Sequence, residues 1–140
     1  MLSKPIRKLF LALGIVTLLV PAYLWFTLLS PWGYTAPPGL APVSAGQHSV
    51  FVYGTLRSPL VRWLVIGRNP ETRTTTLTGF RKEGLDLETD SGSGVNGDLF
   101  HVSADELKRL DRYERLGIRY RRVEIELGDG SRAWVYLRIH

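Results

Sequence analysis

The chain has 140 residues, a formal net charge of +5 and no cysteine. This length allows one domain with an appendage, and the missing cysteine excludes a thiol nucleophile, a disulfide framework and cysteine metal sites. The three histidines are scattered along the chain without metal-ligand spacing, so we predict no metal site and no cofactor.

The positive charge does not indicate a nucleic-acid partner. Residues 1–47 carry three basic and no acidic side chains, whereas residues 48–140 are close to neutral. Arg119, Arg121 and Arg122 form a local basic cluster, which we interpret as the solvated face of a strand. No basic surface with interleaved aromatic residues is evident, so we predict no nucleic-acid binding.

The first predicted element is a membrane-spanning helix over residues 9–29, which contain no charged side chain. About 20 apolar residues are enough for a helix to cross a bilayer. The basic flank, residues 1–8, precedes this stretch, and Trp25, Trp32 and Tyr34 cluster at its far end. This arrangement is typical of a positive-inside flank and an interfacial aromatic belt.

The same pattern predicts orientation and location. With its N-terminus in the cytoplasm, the chain would be a single-pass protein of the cell (inner) membrane with an extracytoplasmic, periplasmic C-terminal domain. A cleaved signal peptide is the alternative, although its apolar core is expected to span only about 7–15 residues. Residues 30–47 are rich in proline and glycine and read as a linker, which leaves residues 48–140 as the domain.

Within this domain the pattern alternates between strands and helices. Strands are predicted over residues 49–54, 73–81, 85–88, 95–102, 119–127 and 132–139, and helices over residues 59–66 and 104–115. Residues 89–94 are polar and glycine-rich, so we predict a loop there. Strands outnumber helices without regular βαβ alternation, which indicates an α+β domain with a mainly antiparallel sheet.

The end of the first strand is a candidate binding site. Four β-forming residues, Val50 to Tyr53, run into Gly54, Thr55 and Leu56. Backbone N–H groups at such a strand end no longer belong to a ladder, and they can bind an anion or an oxyanion. A core strand followed by an ordinary turn explains the same spacing.

The second helix carries a candidate catalytic carboxylate. Ser103 and Glu106 have the spacing of a capping box, which predicts where the helix begins. At 3.6 residues per turn, Glu114 shares the apolar face of Leu107 and Leu110. Burial raises the pKa of a carboxyl group, and a raised pKa suits proton transfer near neutrality.

Charged residues near Glu114 in the sequence leave its role open. The alternative to a site carboxylate is a semi-buried salt bridge with Arg119 or Arg121. Asp111 borders the same helix face, where we expect a structural bond to backbone or to an arginine. Its negative charge would also favour the protonated form of Glu114.

In order along residues 49–140, four short motifs resemble the γ-glutamylcyclotransferase-like (AIG2-like) family. They are Tyr53-Gly-Thr-Leu, Val95-Asn-Gly-Asp-Leu-Phe-His-Val, Leu110-Asp-Arg-Tyr-Glu and Tyr120-Arg-Arg. The resemblance implies a small mixed, mostly antiparallel barrel-like sheet with flanking helices. Two departures are Arg115, where the family usually has glycine, and residues 84–88, which replace a Tyr-Pro segment.

The resemblance also implies an activity. Family enzymes cyclise a γ-glutamyl amide to 5-oxoproline and release an amine without a cofactor, as an acyl transferase or lyase. The partner would be a small γ-glutamyl compound. Glu114 would be the general acid/base, and the substrate-binding residues would be Tyr53, Gly54, Thr55, Leu56 and Tyr120. A non-catalytic ligand-binding or interaction module on the same fold is the alternative.

Overall fold

The computed structural model describes residues 1–140, which form two compact units, Met1–Thr35 and Ala36–His140. The first unit contains helix α1, Lys4–Leu28, with no buried residue. By length and composition this helix can cross a membrane, although a signal sequence near an N-terminus has the same properties. The structure places the boundary between the units at residues 35 and 36, twelve residues before the predicted start of the domain.

The second unit is an α+β domain built on one five-stranded sheet. In chain order its elements are β1 His48–Val52, a 3₁₀ turn Thr55–Arg57, α2 Pro59–Ile66, β2 Arg73–Glu83, β3 Asp86–Val102, α3 Ala104–Glu114, β4 Tyr120–Glu126 and β5 Arg132–Arg138. The strand order is β2-β3-β1-β5-β4. Only β1 and β5 pair in parallel, so the predicted mixed, mostly antiparallel sheet is confirmed.

The sheet curls into a half-barrel with its core inside. At one end the turn between β4 and β5 reaches the opposite edge strand, where the N–H of Gly128 donates to the carbonyl of Thr76 at 3.0 Å. Arg73 and Asp129 form an ion pair of 2.9 Å at the same end. The buried residues of the core are Phe51, Tyr53, Leu77, Leu87, Val95, Leu99, Leu127, Ala133, Val135 and Leu137.

Strand β1 is buried on both of its faces. Because side chains alternate along a strand, Phe51 and Tyr53 belong to the core inside the curl, while Val50 and Val52 face the other way and are buried there. Strand β3 approaches β1 very closely at Gly97. A Cβ atom at this position would overlap the carbonyl oxygen of Val52 and the ring of Phe51, so only glycine fits.

The prediction of a loop at residues 89–94 was wrong. Residues 85–102 were expected to form two strands separated by this loop, but β3 is one strand that forms a long hairpin with β2. Phe80 pairs with Thr89 and Thr78 pairs with Gly94, so residues 90–93 bulge opposite Gly79, whose φ is 84°. The polar composition reflects exposure on an edge hairpin, which sequence alone does not distinguish from a loop.

Both helices of the domain begin and end as their sequences predict. Helix α2 starts at Pro59 and ends at Gly67, which adopts the left-handed conformation. In α3, Ser103 and Glu106 form both hydrogen bonds of the capping box. The chain leaves α3 through Arg115, the only non-glycine residue with a positive φ, 53°. A glycine would adopt this conformation without steric cost, which fits the glycine that the family resemblance leads us to expect here.

Candidate active site

Glu114 is the last residue of α3 and faces the domain. Leu107 and Leu110 precede it on the same face, and both are 0% exposed. Glu114 itself is partly buried, so its carboxylate lies at the edge of the core rather than in it. The helical periodicity therefore placed this side chain correctly.

The Glu114 carboxylate has no ion-pair partner. It forms none of the salt bridges of the chain, so the predicted alternative of a salt bridge with Arg119 or Arg121 is wrong. Burial raises the pKa of Glu114 to about 7, and the positive charge of Arg119 opposes this only in part. Asp111 does not contribute to the shift, contrary to expectation.

The negative charge of Glu114 acts on three tyrosines of the domain. The negative charge of Glu114 helps to raise the pKa values of Tyr53, Tyr120 and Tyr136, in each case after the larger effect of burial. The hydroxyl of Tyr53 donates to the carbonyl of Tyr136 at 2.7 Å, and that of Tyr120 donates to the carbonyl of Leu85 at 3.3 Å. Both phenols are therefore held as neutral groups near Glu114.

The loop after β1 lies beside the same end of α3. The hydroxyls of Thr55 and Tyr113 are 2.9 Å apart, which ties the loop to the residue that precedes Glu114. No acceptor within the protein bonds the N–H groups of Gly54, Thr55 and Leu56. Such unpaired amides at the start of a helical turn are donors for an anionic ligand.

Open space lies beside the loop at Gly54. A Cβ atom added there would meet no heavy atom within 4 Å, in contrast to Gly97 in the sheet. The backbone at Gly54 is therefore accessible on the side where its missing side chain would project. A ligand can approach the amide groups from that side.

Arg62, which the sequence analysis did not single out, holds the loop in place. It is 4% exposed although it lies on α2. Its guanidinium donates to the carbonyls of Leu56 and Arg57, at 3.0 and 2.7 Å, and lies 3.8 Å from Asp98. These carbonyls share their peptide units with the N–H groups of Arg57 and Ser58, which donate to the carbonyls of Gly54 and Thr55 at 3.1 Å each. Arg62 therefore holds the C-terminal side of the 3₁₀ turn in place.

Asp98 completes this support from β3. Its carboxylate accepts from the guanidinium of Arg57 and from the hydroxyl of Thr74, each at 3.3 Å. Arg57 is thus attached to Asp98, while its side chain remains 42% exposed. The sequence offers one signal for this pair. Arg62 stands among the apolar residues of α2, and Asp98 stands within the apolar end of β3, where charged residues are rarely found without a partner.

A second buried ion pair fixes α3 to the sheet. Arg122 and Asp111 meet at 2.9 Å, and the hydroxyl of Tyr136 donates to the same carboxylate at 2.5 Å. Burial raises the pKa of Asp111, and these bonds oppose the shift. The structural role expected for Asp111 is confirmed, but the solvated role expected for Arg122 is wrong, because its guanidinium lies 4.4 Å from the ring of Trp134.

The arrangement combines one carboxylate that can exchange protons near pH 7 with a row of unpaired amides. The first is suited to general acid/base chemistry. The second is suited to holding a carboxylate or a developing oxyanion. Tyr53 and Tyr120 lie near enough to Glu114 for its charge to help raise their pKa values, and Thr55 contacts Tyr113, the residue before Glu114.

Similarity to known proteins identifies the family. The sequence profile of the family described as gamma-glutamyl cyclotransferase, AIG2-like, matches residues 50–140. The chain therefore belongs to this family.

Two curated relatives from Arabidopsis thaliana match the same part of the chain. AIG2-like protein D is 33% identical over 94 residues, which are 61% of this chain and 60% of the relative. AIG2-like protein C is 32% identical over 91 residues, which are 60% of this chain and 53% of the relative. The match thus spans only a little more than half the length of these relatives.

Solved structures agree on the fold. A solution structure of an Arabidopsis thaliana protein, 32% identical, covers 69% of this chain and 72% of that chain with a TM-score of 0.58. A structure described as gamma-glutamyl cyclotransferase covers 68% of each chain with a TM-score of 0.55, at 15% identity. At that identity the second likeness establishes a shared fold alone.

The raised pKa of Glu114 predicts a pH-dependent stability. Between the ordinary pKa of about 4.5 and the folded value of about 7, the folded state keeps a proton that the unfolded state has lost. The free energy of unfolding should therefore fall as pH rises through this window, by up to about 3 kcal/mol, and level off above it. Urea titrations of the full chain in detergent between pH 4 and 9 measure this decline.

Glu114→Gln provides the comparison, because glutamine has a similar shape and does not titrate. The variant should lose the decline and should exceed the parent in stability above pH 7. Equal pH dependence in the two proteins would show that Glu114 is not a raised-pKa carboxyl group.

The position of Arg62 predicts a large effect on stability. Arg62→Met removes the charge partner of Asp98 and leaves two loop carbonyls without their donor, so the free energy of unfolding should decrease by about 3 kcal/mol. Arg68→Met is the matched control, because the Arg68–Glu106 pair lies at the surface with Arg68 48% exposed. It should cost less than about 1 kcal/mol. Similar losses in the two variants would contradict the role assigned to Arg62.

Proposed function

We propose that this protein is a γ-glutamylcyclotransferase-type enzyme with Glu114 as its general acid/base. The observation that carries the proposal is a partly buried carboxylate with no ion-pair partner and a pKa of about 7, at the position of the family's catalytic glutamate. Family membership supports the substrate class, a small γ-glutamyl compound. The reaction needs no cofactor, since its nucleophile belongs to the substrate.

The proposed reaction is an intramolecular acyl transfer. The Glu114 carboxylate takes a proton from the α-ammonium group of the substrate. The freed amine attacks the γ-carbonyl carbon, and a tetrahedral intermediate with a negatively charged oxygen forms. The bond from this carbon to the leaving nitrogen then breaks while Glu114 returns its proton to that nitrogen. The attacking nitrogen loses its second proton at this stage, and that proton also passes to the released amine. The products are 5-oxoproline and an amine, and no water is consumed.

The loop after β1 would bind the negative charge of the substrate. Its unpaired N–H groups at Gly54, Thr55 and Leu56 belong to a turn that Arg62 holds through the carbonyls of its last two residues before the substrate arrives. Preorganised donors of this kind stabilise developing charge without reorganisation during the reaction. By holding the substrate folded back on itself, with its amine against its own carbonyl, the loop and the neutral phenols of Tyr53 and Tyr120 would supply the proximity effect.

A 5-oxoproline assay tests the proposal. Full-length protein in detergent is incubated with a panel of γ-glutamyl amines and amino acids, and 5-oxoproline is measured by mass spectrometry. Activity should rise with pH through about 7, the pKa of Glu114. Glu114→Gln should reduce kcat by roughly 10²-fold or more, whereas Glu126→Gln, an exposed glutamate on β4, should leave it unchanged.

Gly54→Ala addresses the loop separately. Its methyl group would enter the open space beside the amides, so we expect KM to rise while the fold is kept. Product formation that persists in Glu114→Gln would contradict the mechanism in which Glu114 is the general acid/base. Ligand-dependent melting that survives Glu114→Gln, together with no product from any panel member, would instead identify a binding module.

We further propose that α1 is a retained signal anchor and that the domain lies outside the cytoplasm, in the periplasm. The basic residues before the apolar stretch and the aromatic residues after it support this topology. A γ-glutamyl group on an envelope or imported compound would then be the substrate.

Alkaline phosphatase fused after His140 tests the topology, because this reporter is active only outside the cytoplasm. The fusion should be active in intact cells and should sediment with membranes at full length. An inactive fusion would contradict the orientation, and a soluble product shortened by the mass of α1 would indicate a cleaved signal peptide.

A further inference from the structure

The structure brings one histidine to two carboxylates at the end of the sheet. Asp86 and Glu88 stand two residues apart at the start of β3, and His140 follows β5. One ligand atom from each lies within 4.8 Å of the others. The scattered positions of the histidines in the sequence gave no indication of this group, because its members come from distant parts of the chain.

Asp86 is an unusual member of this group, because it is only 6% exposed. Its Oδ1 atom accepts from the backbone N–H groups of Leu87 and Arg138, at 2.8 and 3.2 Å. These bonds hold the carboxylate in one orientation, with Oδ2 directed toward His140. The carboxylate is thus fixed in place by the two strands that it joins.

The Oδ2 atom of Asp86 is buried and receives no hydrogen bond. It is the only buried side-chain nitrogen or oxygen atom of the chain in this state. The Nε2 atom of His140 lies 2.6 Å away, yet the contact is not a hydrogen bond. A buried carboxylate oxygen without a donor costs free energy, and such an atom calls for a cation or another explanation.

We propose that Asp86, Glu88 and His140 bind a divalent transition-metal ion, with zinc as the favoured metal. Imidazole nitrogen and carboxylate oxygen together are the ligands of zinc sites, whereas calcium and magnesium prefer oxygen alone. The ion would supply a cation to Asp86 Oδ2, which has no hydrogen-bond donor and whose contact with His140 is an ion pair only when the imidazole is protonated. Glu88 and His140 are exposed, so the ion can enter from solvent and keep an open coordination position.

This site is separate from the proposed acid/base. The Asp86 charge reaches Tyr53 and Tyr120, so the two sites are neighbours, but none of the three ligands takes part in the proposed cyclisation. The proposed metal site and the proposed activity can therefore be tested separately. A direct ion pair between protonated His140 and Asp86 is the competing explanation of the short contact, and it requires no metal.

Zinc titration distinguishes the two explanations. Full-length protein in detergent, first dialysed against EDTA and then freed of it, is titrated with ZnCl₂ at pH 7.5 by calorimetry. We expect saturable binding of one ion per chain and a rise in Tm. His140→Ala should weaken binding roughly tenfold or more, and His101→Ala, another exposed histidine, should leave it unchanged.

Cobalt provides a readout of the ligands themselves. Co²⁺ should give visible absorption bands in the parent protein that are lost in His140→Ala. Asp86→Asn should also lose them, because asparagine keeps a carbonyl oxygen for the two backbone donors but lacks the second carboxylate oxygen. No saturable heat with zinc, or equal affinity in the parent and His140→Ala, would overturn the proposal and leave the ion pair as the explanation.

Discussion

The domain depends on the pairing of β1 with both of its neighbours. Val50 is opposite Phe100 of β3 on one side and Trp134 of β5 on the other, so this strand joins the two hairpins into one sheet. A shift of β1 by one residue would exchange the side chains of its two faces, so that the rings of Phe51 and Tyr53 would have to fit where Val50 and Val52 now pack. The point at which it ends is therefore fixed, and with it the loop that carries the unpaired amides.

Two buried arginines hold the two parts of the candidate active site, the loop after β1 and helix α3, in different ways. Arg62 binds the carbonyls of Leu56 and Arg57 and thereby holds the turn that follows β1. Arg122 binds Asp111 and thereby holds α3, whose last residue is Glu114, against the sheet. Because a buried guanidinium is satisfied only when all of its partners are present, each contact requires the fold to be complete. The loop and the carboxylate are positioned before any ligand binds.

Local signals explain how much of this could be predicted. The capping box at Ser103, the glycine at residue 67 and the helical spacing of Leu107, Leu110 and Glu114 act within a few residues, and each was read correctly from the sequence. The errors concern partners that are distant in the chain. The hairpin through residues 89–94 and the burial of Arg122 depend on which strand lies opposite, and spacing along the chain does not determine that.

The two acids on the inward face of α3 show what separates a structural carboxylate from a chemically useful one. Asp111 and Glu114 are three residues apart on one helix. Asp111 accepts hydrogen bonds from Arg122 and Tyr136, so the loss of either donor, or a movement of the carboxylate, would weaken the attachment of α3. Glu114 has no such bond, and burial alone shifts its pKa to about 7. This pKa suits the general acid/base role proposed for Glu114, because no ion-pair partner would have to be released before a proton is exchanged. One face of α3 therefore carries both a carboxylate that is bound to an arginine and stabilises the fold, and a second carboxylate that is available for the chemistry proposed above.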